Sequence, residues 1–183
     1  MSPVANPYIN INDENKMEHF YPLKVYVCEK CFLVQIPSSV SREIIFNDKY
    51  AYFSSYSDSW LKHAKNYVEN VIARFNLNSS SNVVELASND GYLLQYFKEK
   101  GIPILGIEPS GNTAEVAQKK GIPTIVKFFG RETASELASE GKYADLLIGN
   151  NVLAHVPDLN DFVGGMKIIL KQTGVITIEF PHL

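Results

Sequence analysis

An α/β fold, a parallel sheet with helices on both faces, is the architecture the sequence predicts, and three observations predict it. From residue 82 onward, short apolar runs alternate with amphipathic stretches, the sequence form of βαβ crossovers. The run Val83-Val84-Glu85-Leu86 closes a buried strand on small residues and opens a helix, as the first crossover of such a sheet does. A chain of 183 residues, 45% apolar and 20% charged, has room for one such core and a small appendage.

The elements follow in order. Residues 1–16 hold Pro3, Pro7 and several asparagines with few periodic apolar positions, an irregular lead-in. Between Pro22 and Ile36 two β-rich runs, 23–27 and 32–36, flank the knuckle Cys28-Glu29-Lys30-Cys31 and predict a small hairpin. Between Ser57 and Leu77, Trp60, Leu61, Ala64, Tyr67, Val68, Val71, Ile72 and Phe75 recur at three- and four-residue steps, an amphipathic helix stopped by the polar run 76–82. Strands are then expected at 82–87, 102–108, 123–126, 144–149 and 174–180, and helices at 91–100, 112–120, 131–140 and 159–170. This divides the chain into an N-terminal module, 1–56, and a core, 57–183.

Charge and composition narrow the function. A net charge of −3 with interspersed Lys and Arg offers no basic stripe for phosphates, so nucleic acid is excluded and a small-molecule partner expected. No run approaches the roughly 18 apolar residues of a membrane span, and no basic-then-apolar leader opens the chain; a cytoplasmic protein is expected. Nothing in the sequence specifies an oligomeric state. The two cysteines, Cys28 and Cys31, have the C-x-x-C spacing of a metal knuckle or a redox pair.

The turn after the first core strand runs Glu85-Leu86-Ala87-Ser88-Asn89-Asp90-Gly91, a Rossmann-like ligand turn with Ala87 and Asn89 where a dinucleotide fingerprint has its first two glycines. Only Gly91 remains, which disfavours a pyrophosphate. S-adenosylmethionine carries a zwitterionic tail and a sulfonium but no phosphate, so a turn bearing Glu85 and Asp90 suits it. Roughly 20 residues beyond Glu85, the second strand ends in Glu108-Pro109, where a carboxylate meets the ribose hydroxyls of a nucleoside cofactor. Each acid alone could instead cap a helix or face solvent. Phe128 and Phe129 follow the third strand, suited to adenine stacking or equally to core packing. Asn150, Asn151 and His155 follow the fourth strand, at the edge where a methyl acceptor would approach.

Together, residues 21–23, 28–35, 50–57, 85–94, 106–109, 150–160 and 179–183 resemble the sugar C-methyltransferase family, enzymes that methylate a carbon of nucleotide-linked keto-deoxysugars behind an N-terminal zinc-binding domain. The resemblance implies a class I methyltransferase core, S-adenosylmethionine as cofactor, a nucleotide-sugar substrate and an enolate formed beside a keto group. It implies active-site positions for Tyr50 and His155, and His182 at the end of the fifth strand is a further candidate. It implies zinc at Cys28 and Cys31, with half of the usual four ligands absent and only His19, a water or another chain to complete them. A complete sheet of this type adds two strands, and the family's catalytic-base segment and sugar-binding domain would lie beyond Leu183. The chain is therefore expected to be truncated, and a cofactor-binding fragment without turnover is one alternative. The other is a nicotinamide-dependent sugar-nucleotide oxidoreductase or epimerase, which shares the strand, turn and ribose acid.

Overall fold

At its N-terminal end the computed structural model shows a short antiparallel hairpin, β1 (Tyr26–Val27) and β2 (Val34–Gln35), with Tyr26 opposite Gln35 and Val27 opposite Val34. The described residues are 1–3, 8–9, 11–37 and 40–180. The strands are shorter than the β-rich runs predict: β1 loses its outer residues 23–25, and β2 loses residues 32 and 33 to the knuckle turn and residue 36 at its outer end. Phe32 takes a left-handed φ of 61° and donates its N–H to the Cys28 carbonyl (2.8 Å), while the Cys28 N–H donates to Leu33 (3.0 Å). A one-turn helix that the sequence did not predict, α1 (Arg42–Ile45), follows. These elements belong to a first compact unit, Met1–Tyr52; the second is Phe53–Leu183.

The second unit opens with a 3-10 turn, Ser54–Tyr56, and the long helix α2 (Asp58–Phe75). The Ser57 hydroxyl accepts the Trp60 N–H at 3.3 Å, satisfying one orphan amide of the first turn, and Asn76 in the left-handed region ends the helix. Then come β3 (Val83–Leu86), α3 (Leu94–Glu99), β4 (Ile104–Ile107), α4 (Gly111–Lys119), β5 (Thr124–Ile125), α5 (Arg131–Ser139), β6 (Ala144–Asn150), α6 (Leu159–Ile169) and β7 (Leu170–Glu179). All five core strands run parallel in the order β5-β4-β3-β6-β7.

Two boundaries depart from expectation. Helix α3 begins at Leu94 rather than Gly91, because residues 89–92 are spent on the ligand turn. Strand β7 begins at Leu170 rather than Gly174, because α6 passes into it without a loop and Leu170 pairs with Ala144. A side chain at Gly174 would approach the Ala144 carbonyl to 2.8 Å, so glycine permits that close pairing.

The pleat sends alternate β3 residues to opposite faces. Val83 joins Val68, Val71, Leu93 and Phe97 under α2 and α3, while Val84 and Leu86 join Leu137, Phe162 and Met166 under α5 and α6. Leu146, Leu147 and Ile148 of β6 are wholly buried between these layers, each worth about 1.5–3 kcal/mol of apolar burial. No helix among the described residues is long and apolar enough to cross a membrane. The chain winds outward from β3 to β5 on one side, then returns to lay β6 and β7 on the other. The connections after β3 and β6 therefore leave toward opposite faces at the carboxyl edge, the position where sheets of this kind hold ligands.

Candidate cofactor site

The carboxyl edge of β3 carries a strained turn. Ala87, Asn89 and Gly91 all have left-handed φ, at 54°, 50° and 75°. The backbone thus keeps the shape of a triple-glycine turn while carrying side chains at two of the three positions. Asparagine tolerates this region; alanine pays about 1–2 kcal/mol for it, and such strain persists only where the surroundings enforce it. Gly91 is required twice over, since a Cβ there would lie 2.3 Å from Ile122 Cδ1. At Gly106, opposite Glu85 on β4, a Cβ would fall 2.4 Å from Ser88 Oγ, so the bare backbone leaves room for the turn.

Three carboxylates converge here, all buried: Glu85, Asp90 and Glu108 are 1%, 0% and 3% exposed. Glu108 binds the turn itself, its Oε2 accepting the Asn89 N–H at 2.9 Å and its Oε1 the Ser110 N–H at 2.8 Å. Burial raises its pKa, and those two amides oppose the rise. Glu85 is pushed well above the ordinary carboxylate range, first by burial, then by the negative charge of Glu108; the Tyr92 hydroxyl acts in the opposite sense. Asp90 accepts from Lys120 Nζ at 3.4 Å and from both the N–H (3.3 Å) and the hydroxyl of Ser55, while the Asn89 side chain accepts the Ser54 N–H at 2.8 Å. Among the described residues, Glu85 Oε2, Asp90 Oδ1 and Ser88 Oγ have no hydrogen-bond partner. Unpartnered buried carboxylate oxygens are costly, and a cationic ligand relieves that cost.

The structure gathers Glu85, Ala87, Asn89, Asp90, Gly91, Glu108 and Pro109 at one sheet edge. Asn150 ends β6 there rather than following it, and Tyr92 faces Asn150 as well as Glu85. His155 closes an exposed 3-10 turn, Leu153–His155, its N–H donating to Val152 at 2.9 Å. Phe129, half-buried, packs edge-on against Phe162 (5.3 Å, 82°) and against the side-chain-free face of Gly165. Tyr50 lies in the first unit, half-buried, tilted against Phe46 at 5.5 Å. His182 lies outside the described residues. Sequence reasoning missed Tyr92, buried beneath Trp60 at 6.0 Å, and Lys120; an apolar neighbourhood hid the first and an ordinary helix end the second.

In the knuckle, the Cys31 and Lys30 amides and then the Cys31 thiol lower the Cys28 pKa, favouring the thiolate that metals bind. Two thiols supply half of a structural zinc set, and among the described residues no group of three potential ligands forms. The donor set in hand therefore does not fit zinc by itself.

Known proteins answer to both units. Residues 1–46 match a family described as "Putative zinc binding domain", and residues 60–182 match one described as "Methyltransferase domain". The C-methyltransferase NovU of Streptomyces niveus is 30% identical over the whole chain, which spans 43% of that relative's length. Among solved structures, the PH0226 protein of Pyrococcus horikoshii superposes with a TM-score of 0.57 at 18% identity, covering 69% of this chain and 60% of its own. An S-adenosylmethionine-dependent methyltransferase of Clostridium acetobutylicum gives 0.53 at 17% identity, covering 64% and 49%. These likenesses establish the class I methyltransferase fold, and with a family match over most of its length the chain belongs to the methyltransferase-domain family.

Proposed function

We propose that this chain is the cofactor-binding core of an S-adenosylmethionine-dependent methyltransferase that acts on a carbon of a nucleotide-linked keto-deoxysugar. One observation carries the cofactor reading: a glycine-poor left-handed turn surrounded by three buried carboxylates, two of them with an unpartnered oxygen. Such a turn repels a pyrophosphate and attracts the ammonium and sulfonium of S-adenosylmethionine, which disfavours the nicotinamide alternative. The cofactor supplies an electrophilic methyl group when bound.

The chain's own residues would hold it. Glu85 and Asp90 face its cationic groups. Glu108, which accepts the Asn89 and Ser110 amides and has the Ser110 and Thr113 hydroxyls beside it, would turn to the ribose hydroxyls. Pro109 borders the same pocket. Asn150 at the carboxyl end of β6 and His155 beyond it would orient the sugar or hold a proton at its keto oxygen, and the resemblance to sugar C-methyltransferases gives Tyr50 a role in the active site as well. Carbon methylation needs an enolate aligned with the methyl group and sheltered from water. The resemblance to sugar C-methyltransferases and the likeness to a relative named C-methyltransferase support carbon as the target.

Calorimetric titration tests the cofactor reading: S-adenosylhomocysteine should bind at micromolar concentration and NAD should not. Incubation with a keto-deoxysugar nucleotide and methyl-labelled cofactor tests the substrate. Label at a sugar carbon supports it; label on oxygen, or none with longer forms of the chain, contradicts it.

A further inference from the structure

The ligand turn is held from outside by a residue far along the sequence. Lys120 follows the last residue of α4, and its carbonyl accepts the Lys98 Nζ at 2.7 Å, which fixes where the side chain starts. Gly121, at a φ of 72°, turns the chain away at once; a Cβ there would meet Lys98 Nζ at 2.6 Å. From this anchored base Lys120 Nζ donates to the Asp90 carbonyl at 2.9 Å and the Ser55 hydroxyl at 3.2 Å, and pairs with Asp90 Oδ2 at 3.4 Å. Ser55 reaches the same Asp90 oxygen through its N–H and hydroxyl, and Ser54 holds the Asn89 side chain. Asp90 is wholly buried, whereas the Lys120 side chain is about one-third exposed.

We propose that Lys120 is a positioning residue for the cofactor site: with Ser54 and Ser55 it clamps Asn89 and Asp90, and so holds the left-handed turn at residues 87–91 in its cofactor-receiving shape. The clamp answers the strain in that turn. An alanine and an asparagine in the left-handed region relax unless neighbours over-determine them, and Lys120 grips the main chain of Asp90, between Asn89 and Gly91. It also pairs with one oxygen of Asp90, while Oδ1 has no hydrogen-bond partner among the described residues. This inference rests on the cofactor reading above.

A double-mutant cycle tests it. Affinity for S-adenosylhomocysteine is measured calorimetrically for the wild type, K120M, D90N and K120M/D90N, with K120R and S55A as milder variants. K120M should weaken binding about tenfold and K120R less than about threefold, and K120M should cost distinctly less once Asp90 is already Asn, because that change removes the ion pair but keeps the bond to the Asp90 carbonyl. Amide exchange at residues 88–91 should quicken in K120M while amides of β6 are unchanged. Equal weakening in both backgrounds, or K120M affinity equal to wild type, would overturn the clamp and leave the cofactor reading standing. Should K120M not fold, S55A in the same cycle reads the other jaw of the clamp and decides in the same way. Failure of the wild type itself to bind S-adenosylhomocysteine overturns the cofactor reading, and this inference with it.

Discussion

The turn after β3 and the knuckle between β1 and β2 bend the backbone by the same device and put it to different use. Each places a non-glycine residue in the left-handed region, Ala87 and Asn89 in one and Phe32 in the other, and each turns backbone amides toward an acidic side chain, Glu108 in one and Cys28 in the other. In the knuckle the acceptor is the Cys28 sulfur on a solvent-exposed hairpin of two-residue strands, where water competes for it. In the ligand turn the acceptors are buried carboxyl groups, from which water is nearly excluded. Burial raises the pKa of Glu85 and Glu108, whereas the amides of the open knuckle lower that of Cys28. A low dielectric converts an ordinary acidic turn into one that demands a ligand.

The largest effect that would sharpen this comparison comes from removing an acceptor in the buried turn. Glu108→Ala leaves the Asn89 and Ser110 amides without their acceptor, in a site too enclosed for bulk water to replace it. Unfolding by urea should show a loss of roughly 2–4 kcal/mol, and binding of S-adenosylhomocysteine should fall by at least about a hundredfold. Cys28→Ser in the knuckle should change the same urea midpoint little, because its partners are exposed. Comparable losses in both variants would mean that burial does not separate the two turns.

A smaller effect has an opposite sign for stability and binding. Because the folded protein holds the Glu85 proton above the usual carboxylate pKa, the native state binds more protons than the unfolded one. That contribution is complete below the unfolded value near 4.3 and is lost as pH rises toward the elevated folded value. Glu85→Gln removes the dependence. The ligand-free variant should therefore melt above wild type at pH 8 and close to it at pH 5, while binding S-adenosylmethionine about tenfold more weakly. A variant that melts lower at pH 8 would show that Glu85 is stabilised as an anion by contacts the structure does not contain.

Much of this was legible in the sequence for reasons that mark its limits. Five strands and their crossovers follow from periodicity, which is local. The pairing of Glu85 with Glu108 follows from the repeat length of a βαβ unit. The start of β7 was hidden because Lys171-Gln172-Thr173 carries no apolar alternation, and its pairing comes from the neighbouring β6. The contact of Ser54 and Ser55 with the turn joins residues 35 apart in sequence, beyond any local pattern, so the sequence alone ends the first module at residue 56. Lys120 looked like any lysine at a helix end. Only packing shows that its neighbours leave it one productive direction.

The smallest effect asks whether the two left-handed turns store strain alike. Replacing Ala87 by Gly removes the clash of Cβ with the following carbonyl, a gain of about 1–2 kcal/mol, against about 0.5–1 kcal/mol of added freedom in the unfolded chain. A net stabilisation of at most about 1.5 kcal/mol should appear in global unfolding, because the turn follows directly on a core strand. Phe32→Gly relieves the same kind of strain in a hairpin that two residue pairs hold together, and short exposed ladders open locally without unfolding the rest. Its gain should appear as slower exchange of the Cys28 amide, which donates to Leu33, and not in the melting of the core. If Ala87→Gly instead weakens S-adenosylhomocysteine binding more than about threefold, the alanine side chain helps shape the ligand surface, and the strain at that position is kept for the contact it makes.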